Sequence, residues 1–122
     1  MTATELIEAG YRLENAKITS VDFFMEDHGV ITLQMVLEGG GFGVVFGGVD
    51  LGYGYLGAKA FSGSSKAMPY IMRIMDVVGV SRFNAMKGQY VRIAHKGLGS
   101  PVKIIGNIIE DKWFDPDSLF NE

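Results

Sequence analysis

Cysteine is absent from the 122-residue chain, which excludes disulfides, thiolate nucleophiles and cysteine metal ligands. Histidine is scarce, at two residues, so a metal centre would need oxygen donors around that pair, and none is expected. No apolar run approaches the roughly 20 residues of a membrane-spanning helix. The first residues, with Glu5 and Glu8, lack the basic and apolar regions of a secretion signal. Surplus positive charge is also missing. Eleven Lys and Arg against fourteen Asp and Glu leave a formal charge of −3, which gives little counterion release on duplex nucleic acid. A local basic pocket stays open. These absences predict a soluble, cytoplasmic protein with no membrane, no duplex nucleic acid and no cofactor among its partners.

What is present argues for one folded domain. Apolar residues make up 48% and charged residues 20%, a balance that builds a core rather than a disordered tail. Glycine is the outlier, at 17 residues, about twice the usual share of about 7%. Nine of these glycines fall between Gly39 and Gly57, inside an otherwise apolar, patterned chain. Glycine costs backbone entropy, so an ordered segment this rich in it needs a reason.

The patterning predicts an α+β domain: about five mainly antiparallel strands with one principal helix packed on the sheet. Residues 1–15 read as a flexible polar leader and 16–122 as a single ligand-binding domain. Ile18, Val21, Phe23 and Met25 mark a first strand, and Val30 to Leu37 alternates as a second. Between them Glu26-Asp27-His28-Gly29 reads as a turn, which makes a hairpin. Phe42 to Phe46 is a third strand, followed by a glycine-rich loop to Gly57. Met68, Ile71, Met72, Met75 and Val78 recur at helical spacing, with Pro69 in the first turn and Gly79 as the stop. A short helical turn over Arg82 to Met86 follows, then strands at Gln89 to Ala94 and Val102 to Ile109. Trp113 and Phe114 anchor the tail, against the body of the domain or in a dimer interface.

Catalysis finds little support. Asp27 and His28 are neighbours in a tight turn, where side chains diverge, and His95 lies on another strand. No HxH or HExxH spacing and no nucleophile elbow is present, so no catalytic residue is expected. Binding finds more. The aromatic residues Phe46, Tyr53 and Tyr55 are interleaved with glycines, which pairs flat rings with accessible backbone. Structurally, the same glycines serve bulges or close strand approach. The string Ser62-Gly63-Ser64-Ser65-Lys66 directly precedes the helix and reads either as an ordinary serine cap or as an anion site at the positive end of the helix dipole, with Ser64, Ser65 and Lys66 as its candidate contacts. Arg92 is a phosphate partner or a salt-bridge residue, and Phe83 with Asn84 offers a ring beside an amide. These nine residues are the candidate ligand contacts.

The strings Met25-Glu26-Asp27-His28-Gly29, Gly39 to Gly57, Ile71 to Val80, Lys87-Gly88 and Gly106 to Phe114 together resemble a family of small phage and prophage proteins. The similarity covers about residues 16 to 120 and is to the first family of Thoeris anti-defence proteins. That resemblance implies a non-enzymatic α+β homodimer or larger homo-oligomer in the infected bacterial cell. It implies sequestration of a cyclised ADP-ribose signal near the subunit interface, with cyclic oligonucleotides as further ligands of some members. The alternative, from another class, is a phage inhibitor or accessory protein acting through a protein–protein surface. No binding residue is carried over from the family; the candidates rest on the residues themselves.

Overall fold

A computed structural model describes residues 1–54, 61–99 and 101–121. Its elements run α1 (Ala3–Glu8), β1 (Arg12–Met25), β2 (Val30–Gly39), β3 (Phe42–Gly47), β4 (Gly52–Tyr53), β5 (Ser62–Gly63) and α2 (Ala67–Val78). A 3-10 turn at Phe83–Ala85 leads to β6 (Tyr90–His95), β7 (Ile104–Asn107), β8 (Trp113–Phe114) and α3 (Asp117–Phe120). The α+β class and the antiparallel sheet agree with the sequence expectation. The strand count is higher, eight rather than about five, because three two-residue strands cap the sheet.

The sheet order is β5-β4-β2-β1-β6-β7-β8, with β3 on β2. β1 is the longest strand and holds two partners, β2 along Lys17–Met25 and β6 along Arg12–Lys17. A register shift between Ile18 and Ser20 bends it between the two, as a bulge does. The sheet therefore curls. Phe46 of β3 meets Val102 in a parallel bridge, and the Val102 N–H donates to the Val45 carbonyl (3.0 Å). Through that bridge β3, β2, β1, β6 and the segment entering β7 form a ring.

The ring encloses Ile18, Leu33, Met35, Leu37, Phe46, Val91, Ile93 and Ile105, all without solvent exposure. Alternation along β2 and β6 puts these side chains on one face, as a period of two requires. α2 closes the core with Tyr70, Ile74, Val77 and Val78. The expected helix stripe is thus turned: Ile71 and Met75 flank the core, while Met68 and Met72 are exposed. Both sets repeat at helical spacing. The choice is made by Tyr70, whose ring sits 5.8 Å from Phe114 and 5.7 Å from Phe120, contacts supplied by the tail. Gly79 ends the helix in the left-handed region (φ 89°), as expected, with its N–H on the Met75 carbonyl.

The N-terminal segment carries structure of its own. Thr2 caps α1, Leu6 is buried, and the strand expected from Ala16 begins at Arg12. Leu6 joins Ala94, Ile104 and Trp113 in a second, smaller core. Asp111 ties this corner together. Its carboxylate accepts from Trp113 Nε1 (2.7 Å) and from the Ala3 N–H (2.8 Å), and those two bonds hold its pKa below the usual carboxylate value. The tail therefore folds back as β8 on β7, and Trp113 and Phe114 are packed inside the chain.

Candidate functional site

β1 outruns its cover. Val21, Phe23 and Met25 continue the apolar alternation past the buried stretch of β1, and Phe23 is 53% exposed. Opposite them, β4 and β5 pair along the edge of β2, with Tyr53 beside Ser62 and Gly52 beside Gly63. Between these elements lies a groove of about 360 Å³ lined by Phe23, Met25, Ile31, Leu51, Tyr53, Phe61, Ser62 and three glycines. Phe61 lies against Gly54: a Cβ at that glycine would stand 2.4 Å from the ring. Glycine there is the condition for the ring's position. Gly63 is the opposite case, with open space where a side chain would begin.

The two ends of the groove differ. At one end Gly54 donates to Gly29 of the β1–β2 turn (2.8 Å). That turn is acidic. Glu26 accepts from the backbone N–H groups of His28 (2.7 Å) and Val30 (3.2 Å), and its other oxygen lies 3.2 Å from His28 Nδ1. Loss of solvent works to raise the Glu26 pKa, but these bonds outweigh it and keep the carboxyl below its usual value. The structure thus gives Glu26–Gly29 the role of a turn. At the other end Ser64 donates to Leu51 (3.0 Å), leading into the start of α2.

That helix start is more self-contained than its serines imply. The N-cap position is held by Lys66, with no side-chain cap. The Lys66 N–H bonds the Ser64 hydroxyl (3.1 Å), the Ala67 N–H bonds the Ser64 carbonyl (3.1 Å), and Pro69 has no N–H to give. Few first-turn donors are left for an anion. Ser62 lines the groove beside its strand partner Tyr53, and Ser65, also exposed, follows just outside the lining.

The remaining candidates do not converge here. Phe46 is fully buried in the core and is not available to a ligand. Phe83 packs partly on the core while Asn84 is exposed beside it. Tyr55 lies outside the described residues. Arg92 is committed to the fold: Nε donates to the Asn107 carbonyl (2.7 Å), an Nη donates to the Glu110 carbonyl (2.8 Å), and the guanidinium lies 4.6 Å over the Trp113 ring. Arg92→Ala should therefore cost about 2 kcal/mol of stability, seen as a lower urea midpoint, since hydrogen bonds from a charged donor contribute about 1.5–3 kcal/mol. An unchanged midpoint would remove Arg92 from this structural role. Of the nine candidates, the structure gathers Tyr53, Ser64, Ser65 and Lys66 along one edge.

No family model, curated protein or solved structure matches the chain. Function has to be read from the groove. Phe23, Met25 and Phe61 were not among the sequence candidates, and Ser62 and Gly63 entered only as the start of the string before the helix. The signal for Phe23 and Met25 lay in β1's alternation, which continues after burial along the strand has ended. Among the described residues there is no group of three or more metal-ligating side chains, and no helix is long and apolar enough to cross a membrane.

Proposed function

We propose that this chain binds a cyclised ADP-ribose or related cyclic nucleotide signal in the groove at β4 and β5 and holds it without cleaving it. The supporting observation is the juxtaposition, in about 360 Å³, of the half-exposed Tyr53 ring and the Phe61 ring with Ser62 and the open backbone at Gly63. Flat rings stack any nucleobase, and pockets of this size take drug-sized ligands. The base belongs at the aromatic end. The phosphates belong toward Ser62 and Ser65, because the Glu26-Asp27 end repels them. Sequestration of a phage-defence signal by a homodimer or larger assembly, in the infected cell, is the biological form this reading takes.

Binding and turnover are separated by one experiment. Purified protein is incubated with cyclised ADP-ribose isomers or cyclic oligonucleotides, freed of unbound ligand and heat-denatured, and the supernatant is analysed. Intact ligand in stoichiometric amount is expected; altered ligand would mean an enzyme. Tyr53→Ala should weaken retention about tenfold or more, given about 1–3 kcal/mol for a stacked base, with circular dichroism showing that the fold is kept. Equal retention by both proteins would remove the groove from the site.

A second reading has its own support. Between residues 18 and 58 there is no Lys or Arg, while Asp22, Glu26, Asp27, Glu38 and Asp50 are all present. Phe23, Phe24, Met25, Tyr53 and Phe61 are exposed in the same region. An apolar patch with an acidic rim fits a basic protein surface. No ligand retained in the experiment above would favour this reading.

A further inference from the structure

The two edges of β1 are not equally paired. On the β2 side the ladder runs on to Met25. On the other side β6 pairs only from Arg12 to Lys17. Ile18 closes that pairing, donating to the Gln89 carbonyl (2.8 Å) and accepting from the Gly88 N–H (2.7 Å). Beyond it no described strand lies along this edge.

The ladder itself tells which backbone groups are left over. Along an antiparallel pair, residues alternate between facing the partner's backbone and facing away from it. The Glu26 N–H donates to the Val30 carbonyl (2.8 Å), so Phe24 and Asp22 are the next residues to face β2. β2 agrees. Its Ile31 and Leu33 carbonyls accept from Leu51 (2.8 Å) and Gly48 (2.9 Å), on the side away from β1. Their ladder partners Met25 and Phe23, and Val21 after them, therefore turn their N–H and C=O groups outward. Among the described residues, none bonds these donors and acceptors.

A free strand edge is a template for another strand. Its two faces set the side chains that the newcomer must carry. Val21, Phe23 and Met25 make one face apolar. Asp22, Phe24 and Glu26 stand on the other, where Phe24 and Glu26 share a hollow with Asp50. No Lys or Arg occurs between residues 18 and 58, and Lys17 and Lys87 stand at the end where the edge closes. Opposite charges directly across a ladder attract and like charges repel. A second copy of the chain would bring the same acids to this edge, whereas a basic strand would neutralise them.

We propose that the outer edge of β1 at Val21–Met25 takes up an extended segment of a partner protein in which basic and apolar residues alternate. The apolar residues lie opposite Val21, Phe23 and Met25, and the basic ones opposite Asp22 and Glu26. This rests on the basic-partner reading given above and adds to it the edge that binds and the pattern of the bound segment.

The probe is a seven-residue peptide of alternating Lys and Val with blocked ends, titrated into the full chain by calorimetry while amide hydrogen exchange is followed by NMR. In the protein alone the amides of Val21, Phe23 and Met25 should exchange fast and those of Asp22 and Phe24 slowly. Saturating peptide should slow the first three at least about tenfold. In this register the peptide's valine N–H groups donate to β1 and its lysine N–H groups point away. N-methylation of the valines should therefore weaken binding about tenfold or more, and N-methylation of the lysines should leave it unchanged. Asp22→Lys, at an exposed side chain and with its fold checked by circular dichroism, should lose as much as valine methylation does. Equal affinity of the two methylated peptides, or binding as tight by a peptide with its lysines and valines in separate blocks, would overturn the edge and leave the basic-partner reading standing. Parental affinity in Asp22→Lys would overturn the charge pairing. Failure of every basic peptide to saturate at millimolar concentration would overturn the proposal and that reading together. Protection of the three amides in the protein alone, fading on dilution, would give the edge to a second copy and overturn the proposal.

Discussion

Gly47→Ala should leave the protein largely unfolded. A Cβ at this position would stand 2.2 Å from the Leu33 carbonyl oxygen and 3.2 Å from its carbon, with the backbone at φ 111°. Those are backbone atoms, and they cannot step aside as a side-chain tip would. The Leu33 oxygen already accepts from the Gly48 N–H at 2.9 Å, so it is pinned from the direction of the same turn. Relief would require the end of β3 to leave β2, which also removes Phe46 from the core and its bridge to Val102. A loss above about 4 kcal/mol is expected, of the same order as the 5–15 kcal/mol net stability of an ordinary domain. Gly40→Ala is the control: nothing lies within 4 Å of its Cβ position and its φ is not in the left-handed region. It should fall within about 0.5 kcal/mol of the parent. Urea titrations followed by circular dichroism compare the two. If Gly47→Ala melts within a few degrees of Gly40→Ala, the turn after β3 is not built this way.

Asn107→Leu should cost about 3–5 kcal/mol, because no polar group of Asn107 is idle. Its side-chain amide donates to the Val77 carbonyl at 2.8 Å, satisfying one of the orphan acceptors at the end of α2. Its side-chain oxygen accepts from the N–H groups of Ile109 (2.9 Å) and Glu110 (2.8 Å), forming the turn that brings the chain back as β8. Its backbone N–H donates to Lys112 and its carbonyl accepts from Arg92. Leucine keeps the backbone bonds and strands three partners. Asn107→Asp keeps the two acceptor bonds and sets a carboxylate against the Val77 carbonyl, so it isolates the helix contact and should cost less than leucine. Hydrogen exchange at Ile109 and Glu110 should speed up in the leucine variant and much less in the aspartate one. Equal exchange in the two would mean that the turn stands without Asn107.

Much of this architecture was readable from residue order, and the failures have identifiable causes. The hairpin of β1 and β2 was plain, since Ile31, Leu33, Met35 and Leu37 alternate and Gly29 supplies the positive φ of the turn (84°). Gly79 stops α2 where it was expected to. Local pattern could not orient α2, because methionines at 68 and 72 extend the apolar arc and the deciding contacts come from Phe114 and Phe120. Nor could it find β4, β5 and β8, each two residues long, whose existence depends on partners distant in sequence. Two of the candidate ligand contacts are drawn into the fold for a related reason. Phe46 and Arg92 have the chemistry of ligand contacts, but the closed ring buries the first and β8 occupies the second. Tyr53 survives because it lies on the edge that the ring leaves open. His95 was set aside in the sequence as lying on another strand from His28, and its partner, Glu14, is 81 positions away.

The two-partner geometry of β1 has a consequence for the birth of the protein. One edge of β1 is paired as soon as β2 emerges, but Ala16 waits for Val91, about 75 residues later. At the usual synthesis rate of about 5–20 residues per second, that interval is about 4–15 s. Throughout it the growing chain displays an unsatisfied strand edge beside an apolar hairpin, a surface that other nascent chains can pair with. Yield in the cell should therefore respond to the speed of translation between codons 40 and 90, and to chaperones that shield strand edges, far more than the stability of the finished molecule does.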